Sequence, residues 1–167
     1  MRHLAICFLV ISSTIQTYSQ ANLDTNVKKN FIVGVWQIRT STVSSALEEN
    51  FRFFKDGKFA YYISSYEELN PLRQIDGIFR IENGILKLRI TKIMMFVDFR
   101  IDESSHGFQS GPFALANGKL VAKLQNDSAF SEHEFEILAG DGKSPITKVK
   151  IDGDTYFKLS GDPNMLK

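Results

Sequence analysis

Apolar residues recur at every second position in short runs along this chain, and clusters of Gly, Asn, Asp and Pro separate the runs. Period two is the repeat of a β-strand whose two faces meet different environments, so the pattern specifies strands and leaves no long amphipathic helix. Ten strands are expected, at 33–40, 49–55, 58–64, 74–81, 85–90, 94–101, 119–125, 131–138, 146–151 and 155–160, one or two of which can merge. Longer connections fall at 41–48, 65–73 and 102–118, lengths that commonly form rims or lids.

Turn chemistry sets the register, because a one-residue slip would send a whole apolar face into water. Asn83-Gly84 fits the centre of a two-residue turn with both residues at positive φ. It pairs Ile81 with Leu86, Phe79 with Leu88 and Gly77 with Ile90 on one face, and Arg80 with Lys87 and Ile78 with Arg89 on the other. At Lys55-Asp56-Gly57-Lys58 a three-residue connection with a left-handed Gly57 brings Phe51 opposite Tyr61 and Phe53 opposite Phe59. A five-residue loop at 139–143 would set Glu134 against Lys148 and Glu132 against Lys150, and Asp152-Gly153-Asp154 would set Val149 against Phe157. Four hairpins between sequence neighbours describe an all-β, up-and-down antiparallel meander of eight to ten strands. Closure into a barrel removes its edges, and an orthogonal β-sandwich is the alternative.

The N-terminus reads as an export signal: Met1-Arg2-His3, then the apolar block Leu4 to Ile11, then polar residues, with Thr17 and Ser19 as small residues at the −3 and −1 positions of a cut after Ser19. The block is too short to cross a bilayer, so no stable membrane insertion is expected. The expected organisation is a cleaved signal at 1–19, a lead segment at 20–30, one β-domain at 31–160 and a tail at 161–167, in a secreted or periplasmic protein. Cys7, the single cysteine, leaves with the signal. Leu4-Ala5-Ile6-Cys7 makes a poor lipoprotein box because Ile6 is bulky there. The mature domain then has no disulfide, and its apolar core alone must hold it. Loss of Arg2 leaves 19 basic residues against 19 acidic ones, a balance with no broad pull on nucleic acid or anionic lipid.

Gly34-Val35-Trp36, then the run Phe51 to Phe59, then Gly77 to Leu88 together resemble the lipocalin-like proteins of the calycin group, in particular small secreted bacterial ones. The resemblance covers about residues 31–90, and beyond them only strand rhythm and Tyr156-Phe157-Lys158 match. It implies a barrel floor in which Gly34 lets the chain pass closely and Trp36 plugs the end. It also implies an apolar or amphiphilic ligand, and it makes Lys158 the counterpart of an arginine that such barrels set against the tryptophan.

Candidate lumen residues are Phe51, Phe53, Phe59, Tyr61, Phe79, Leu88, Val97, Phe99, His133 and Phe135, together with Leu86 and Phe157 on the same faces. They could line a ligand cavity or fill the barrel completely. His133 is in phase with Phe135 and Ile137; a haem-binding barrel would use such a histidine as axial ligand, whereas most histidines on apolar faces are hydrogen-bonded core residues. No cofactor or metal is assigned. His106 has no ligand set at zinc spacing, Asp152 and Asp154 flank a glycine as turn residues commonly do, and Asn126-Asp127-Ser128 has the form of a glycosylation acceptor. In Gly107-Phe108-Gln109-Ser110-Gly111 the serine stands one place too late for a nucleophile elbow. No catalytic constellation is visible, so a non-enzyme is expected. Two functions follow: an exported carrier of a small hydrophobic ligand, or a surface module that binds a protein or glycan through rim loops. The apolar 102–118 loop is the expected docking element of the second.

Overall fold

The computed structural model describes residues 30–42, 48–64, 67–103, 113–138 and 148–165. The expected signal and its cleavage site, His106 and the 107–111 run lie outside the described residues. Eleven strands occur among those described: β1 (Gly34–Ile38), β2 (Asn50–Phe53), β3 (Lys58–Tyr62), β4 (Leu72–Glu82), β5 (Ile85–Val97), β6 (Arg100–Glu103), β7 (Phe113–Ala116), β8 (Lys119–Leu124), β9 (Ser131–Leu138), β10 (Lys148–Ile151) and β11 (Asp154–Ser160). In the order β4-β3-β2-β1-β11-β10-β9-β5 they pair antiparallel, and β5 pairs back onto β4. The eight-stranded ring is therefore a closed up-and-down barrel, and β8 is a ninth strand added on β5.

The two sharpest turns carry the register as their chemistry demands. Asn83 and Gly84 both have positive φ, at 52° and 80°, and Ile81, Phe79 and Gly77 face Leu86, Leu88 and Ile90. Gly57 is left-handed, with Phe51 opposite Tyr61 and Phe53 opposite Phe59. Arg80 and Lys87 stand opposite one another and share the carboxylate of Glu82, at 2.9 and 3.3 Å, which answers their like charge.

Two registers differ from expectation. Asp152 and Gly153 form a two-residue turn, both at positive φ, so Val149 faces Tyr156 and Phe157 lies on the other face opposite Lys148. Tyr156 is thus the core aromatic, and Phe157 packs its ring beneath the Lys148 ammonium at 5.3 Å. Lys150 faces Glu136 rather than Glu132, and Lys148 faces Leu138 rather than Glu134, a register that centres the connection between β9 and β10 two residues later than expected.

The segments expected at 85–90 and 94–101 merge into β5, which bulges at Thr91: Asp76 faces Lys92 while Gly77 faces Ile90. Beyond the bulge β5 still pairs with β4 from Lys92 to Met95, and its end then leaves the barrel. It pairs with β8, and past a break β6 pairs with β7, forming a projecting arm. Asp98 and Asn117 mark the break from opposite strands, each left-handed, at φ 53° and 56°. β7 falls where only a loop was expected, since Phe113-Ala114-Leu115-Ala116 lacks polar alternation.

The core is aromatic. Phe53, Phe59, Phe79, Phe51 and Tyr156 are buried and pack ring on ring, with Phe53 edge-on to Phe79 at 4.9 Å and Phe51 at 5.4 Å from Tyr156. Such pairs add about 0.5–1.5 kcal/mol each beyond the area they bury. Trp36 is fully buried, and its indole nitrogen donates to the Ile32 carbonyl, which ties the chain entering β1 to the barrel end.

Candidate functional site

The expected lumen residues divide into two groups. Phe51, Phe53, Phe59 and Phe79 pack against one another, and with Trp36 they occupy the floor half of the barrel. Gly34 sits there with φ 132°, its backbone so close to Ser160 that a Cβ would collide with the Ser160 carbonyl. Lys158 reaches the same floor: its ammonium lies 5.1 Å from the Trp36 ring and 5.2 Å from Phe31, and donates to the Phe31 carbonyl at 2.7 Å. Burial holds its pKa below the usual lysine value.

Tyr61 and Phe135 are half-buried at the edge of this cluster. The Tyr61 hydroxyl donates to Glu49 Oε2 at 2.6 Å. Burial and then that bond push the phenol pKa upward. Val97 and Phe99 lie on the arm, not in the barrel. Val97 faces Lys119, and Phe99, 38% exposed, sits at the break where β5 has already ended. The period-two run from Met94 continues past the barrel wall, and alternation alone cannot say where a strand leaves its barrel.

One stretch of wall is incomplete. β8 and β9 pair in succession along the same edge of β5, β8 with residues 92–97 and β9 with residues 85–88. Between them residues 125–130 swing away, held at one point by the Gln125 amide donating to the Thr91 carbonyl at 2.9 Å. The gap opens a pocket of about 400 Å³. Leu88, Ile90 and Ile93 form its apolar floor, Ala129 and Phe130 its lip, and Gln125, Asp127 and Ser131 its polar side. The Phe130 ring is fixed from outside by the guanidinium of Arg80, 4.1 Å from its centroid, and by that of Arg89 at 5.2 Å.

His133 stands beside this pocket. It faces Leu86 across the ladder, on the inward side as its spacing implies. Both ring nitrogens are engaged: Nε2 lies 2.8 Å from Ser131 Oγ and Nδ1 lies 2.6 Å from Asp152 Oδ2. Neither is free to ligate a haem iron. Asp152 is itself held, since its Oδ1 accepts the Glu134 amide at 2.9 Å. Ser131 Oγ is also 3.1 Å from the Leu88 carbonyl. Sequence reasoning singled out His133 and Asp152 separately and missed Ser131. The available signal was Ser131-Glu132-His133, two polar residues on one strand face. Among the described residues, no group of three His, Cys, Asp or Glu residues is placed to hold a metal.

A second pocket, of about 420 Å³, lies where the arm leaves the barrel, between Ile63, Ser64, Arg73, Phe96 and Leu115. Arg73 donates to the Glu67 and Glu68 carbonyls and lies 5.1 Å from the Phe96 ring, and burial lowers its pKa. The arm itself exposes apolar side chains: Ile101 at 60%, Leu120 at 51% and Phe113 at 47%. No helix among the described residues is long and apolar enough to cross a membrane. No family model, no curated protein and no solved structure matches this chain.

Proposed function

We propose that this chain is an exported, lipocalin-like carrier of a small amphiphilic molecule, bound at the gap in the barrel wall. The observation that carries this reading is the pocket there, whose floor of Leu88, Ile90 and Ile93 is apolar and whose other side is polar. A pocket of that size and mixed lining suits a ligand with a short apolar body and one polar group. The aromatic floor half of the barrel leaves the wall gap, rather than the axis, as the place for a ligand. The lipocalin-like assignment is supported by Gly34, Trp36 and the Lys158 ammonium over the indole, an arrangement equivalent to the arginine and tryptophan of that group.

The test is mass spectrometry of what copurifies with the full chain from a native extract, together with titration by an environment-sensitive naphthalene fluorophore. A lipid-like molecule bound one to one, displaced by the fluorophore, supports the reading. An unliganded protein that gives the fluorophore no blue shift overturns it. A second reading, a non-catalytic surface or periplasmic module that docks a protein or glycan, draws on exposed Ile101, Phe113 and Leu120. Serine substitutions at Ile101 and Phe113 that abolish capture of a partner, with fluorophore binding unchanged, would favour it.

A further inference from the structure

We infer that Ser131, His133 and Asp152 form a serine-nucleophile site that cleaves the ester of an acyl chain held in the wall pocket. The inference rests on the carrier reading for its pocket and adds a reaction to it. Two elements converge to make the site: β9 carries Ser131 and His133 on one face, and the turn between β10 and β11 carries Asp152. Residues two apart on a strand project to the same side, which puts the hydroxyl beside the ring.

Direction follows from what each group can do. An ionised carboxylate only accepts, so the contact between Asp152 Oδ2 and His133 Nδ1 places the proton of a neutral ring on Nδ1. Nε2 is then left with its lone pair, and of the two acceptors within reach of the single Ser131 hydroxyl proton, Nε2 at 2.8 Å is nearer than the Leu88 carbonyl at 3.1 Å. That is the order of a nucleophile, a general base and an orienting acid. The orienting acid is fixed in turn by the Glu134 amide, and by its left-handed backbone at φ 50°. Ser131 also lines the pocket, so an acyl group lying on Leu88 and Ile90 presents its carbonyl to the hydroxyl. Gln125 lines the same pocket with a side-chain amide able to donate to the oxygen on which negative charge develops.

The chemistry balances with water as sole co-reactant. Ser131 Oγ bonds to the ester carbonyl carbon as its proton passes to His133 Nε2. The carbon–alkoxy bond then breaks, and the alkoxide leaves with that proton as an alcohol. Water, deprotonated by the same nitrogen, attacks the acyl-serine, and the returning proton restores the Ser131 hydroxyl as the carboxylic acid departs.

The experiment uses the full chain with 4-nitrophenyl butyrate and octanoate as substrates and a fluorophosphonate as covalent trap, with peptide mapping of the adduct. Expected are a fluorophosphonate adduct on Ser131, faster cleavage of the octanoate, and at least a 100-fold loss of hydrolysis in Ser131→Ala and His133→Gln. Asp152→Asn should lose at least tenfold and shift the pH profile. A wild-type urea denaturation midpoint for Ser131→Ala, read by the fluorescence of the single tryptophan, shows that the variant is folded. Binding without hydrolysis and without an adduct at Ser131 overturns this inference and leaves the carrier standing. Hydrolysis that survives Ser131→Ala also overturns it. Ser131-dependent hydrolysis without fluorophore binding overturns the carrier instead.

Discussion

The ammonium of Lys158 lies 5.1 Å from the ring of Trp36, at the floor of the barrel, and donates to the carbonyl of Phe31. β11 thereby clamps the segment that precedes β1, and β1 itself pairs with β11 from Val35 to Ile38. A hydrogen bond from a charged donor contributes about 1.5–3 kcal/mol, and a cation over an aromatic ring about 0.5–1 kcal/mol more. The cost of burying the charge, visible in the lowered lysine pKa, offsets part of this.

Lys158→Ala is therefore expected to lose about 1–2 kcal/mol of unfolding free energy. Lys158→Arg should keep most of it, since a guanidinium also stacks on an indole. Urea denaturation followed by the fluorescence of the single tryptophan reads both. An unchanged midpoint in the alanine variant would show that the clamp contributes nothing.

Gly34 admits no side chain. At φ 132° any other residue is strained, and a Cβ would collide with the Ser160 carbonyl. Gly34→Ala should cost more than about 2 kcal/mol or prevent folding, because the strain and the clash add. Gly153, also at positive φ, has open space around its Cβ position, so Gly153→Ala should be the milder of the two. Parallel denaturation of both variants checks the order.

Alkaline pH should unfold the protein through its tyrosines. The folded-state pKa values of Tyr61 and Tyr156 lie above the ordinary 10.0, chiefly through burial, so both phenols stay protonated in the fold at pH values where the unfolded chain releases its protons. A group whose pKa is raised by folding contributes stability that is fully present below the unfolded value and is lost as pH rises through the folded one. The unfolding midpoint should hold to about pH 10 and decline above it. Tyr61→Phe, which also removes the donor to Glu49, should flatten that decline. Thermal melts from pH 8 to pH 11.5 would contradict this if the two proteins declined in parallel.

Filling the wall pocket should abolish binding without harming the fold. Ala129 is solvent-exposed on the pocket lip, and an aromatic side chain there can lie over Leu88 and Ile90. Ala129→Phe should weaken the naphthalene fluorophore at least tenfold while the denaturation midpoint moves by less than about 0.5 kcal/mol. Undiminished affinity would place the ligand elsewhere.

The legible part of this protein was local. Asn83-Gly84 and Gly57 could be read because a turn with positive φ accepts few residues, and each such turn dictates which side chains face each other across the ladder. From those pairings came the meander and the inward aromatic set, while the inward direction of His133 came from its phase with Phe135 and Ile137. At Asp152-Gly153-Asp154 the expected pairing of Val149 with Phe157 gives way to a two-residue turn that sets Val149 against Tyr156, whose ring packs against Phe51.

What tertiary structure alone decided lies wherever distant segments meet. Alternation persists in β5 on both sides of the wall, so Val97 and Phe99 read like lumen residues until the Thr91 bulge and the β8 pairing carry them onto the arm. Closure of the ring through β11 on β1 and β9 on β5, and the gap left between β8 and β9, depend on strand stagger around the whole ring, which no local pattern encodes. The approach of Asp152 to His133 joins residues 19 apart through a turn and two strands, and Lys158 reaches Phe31 across 127 residues. Period two determines which face a side chain takes; the closing of the barrel determines what it meets there.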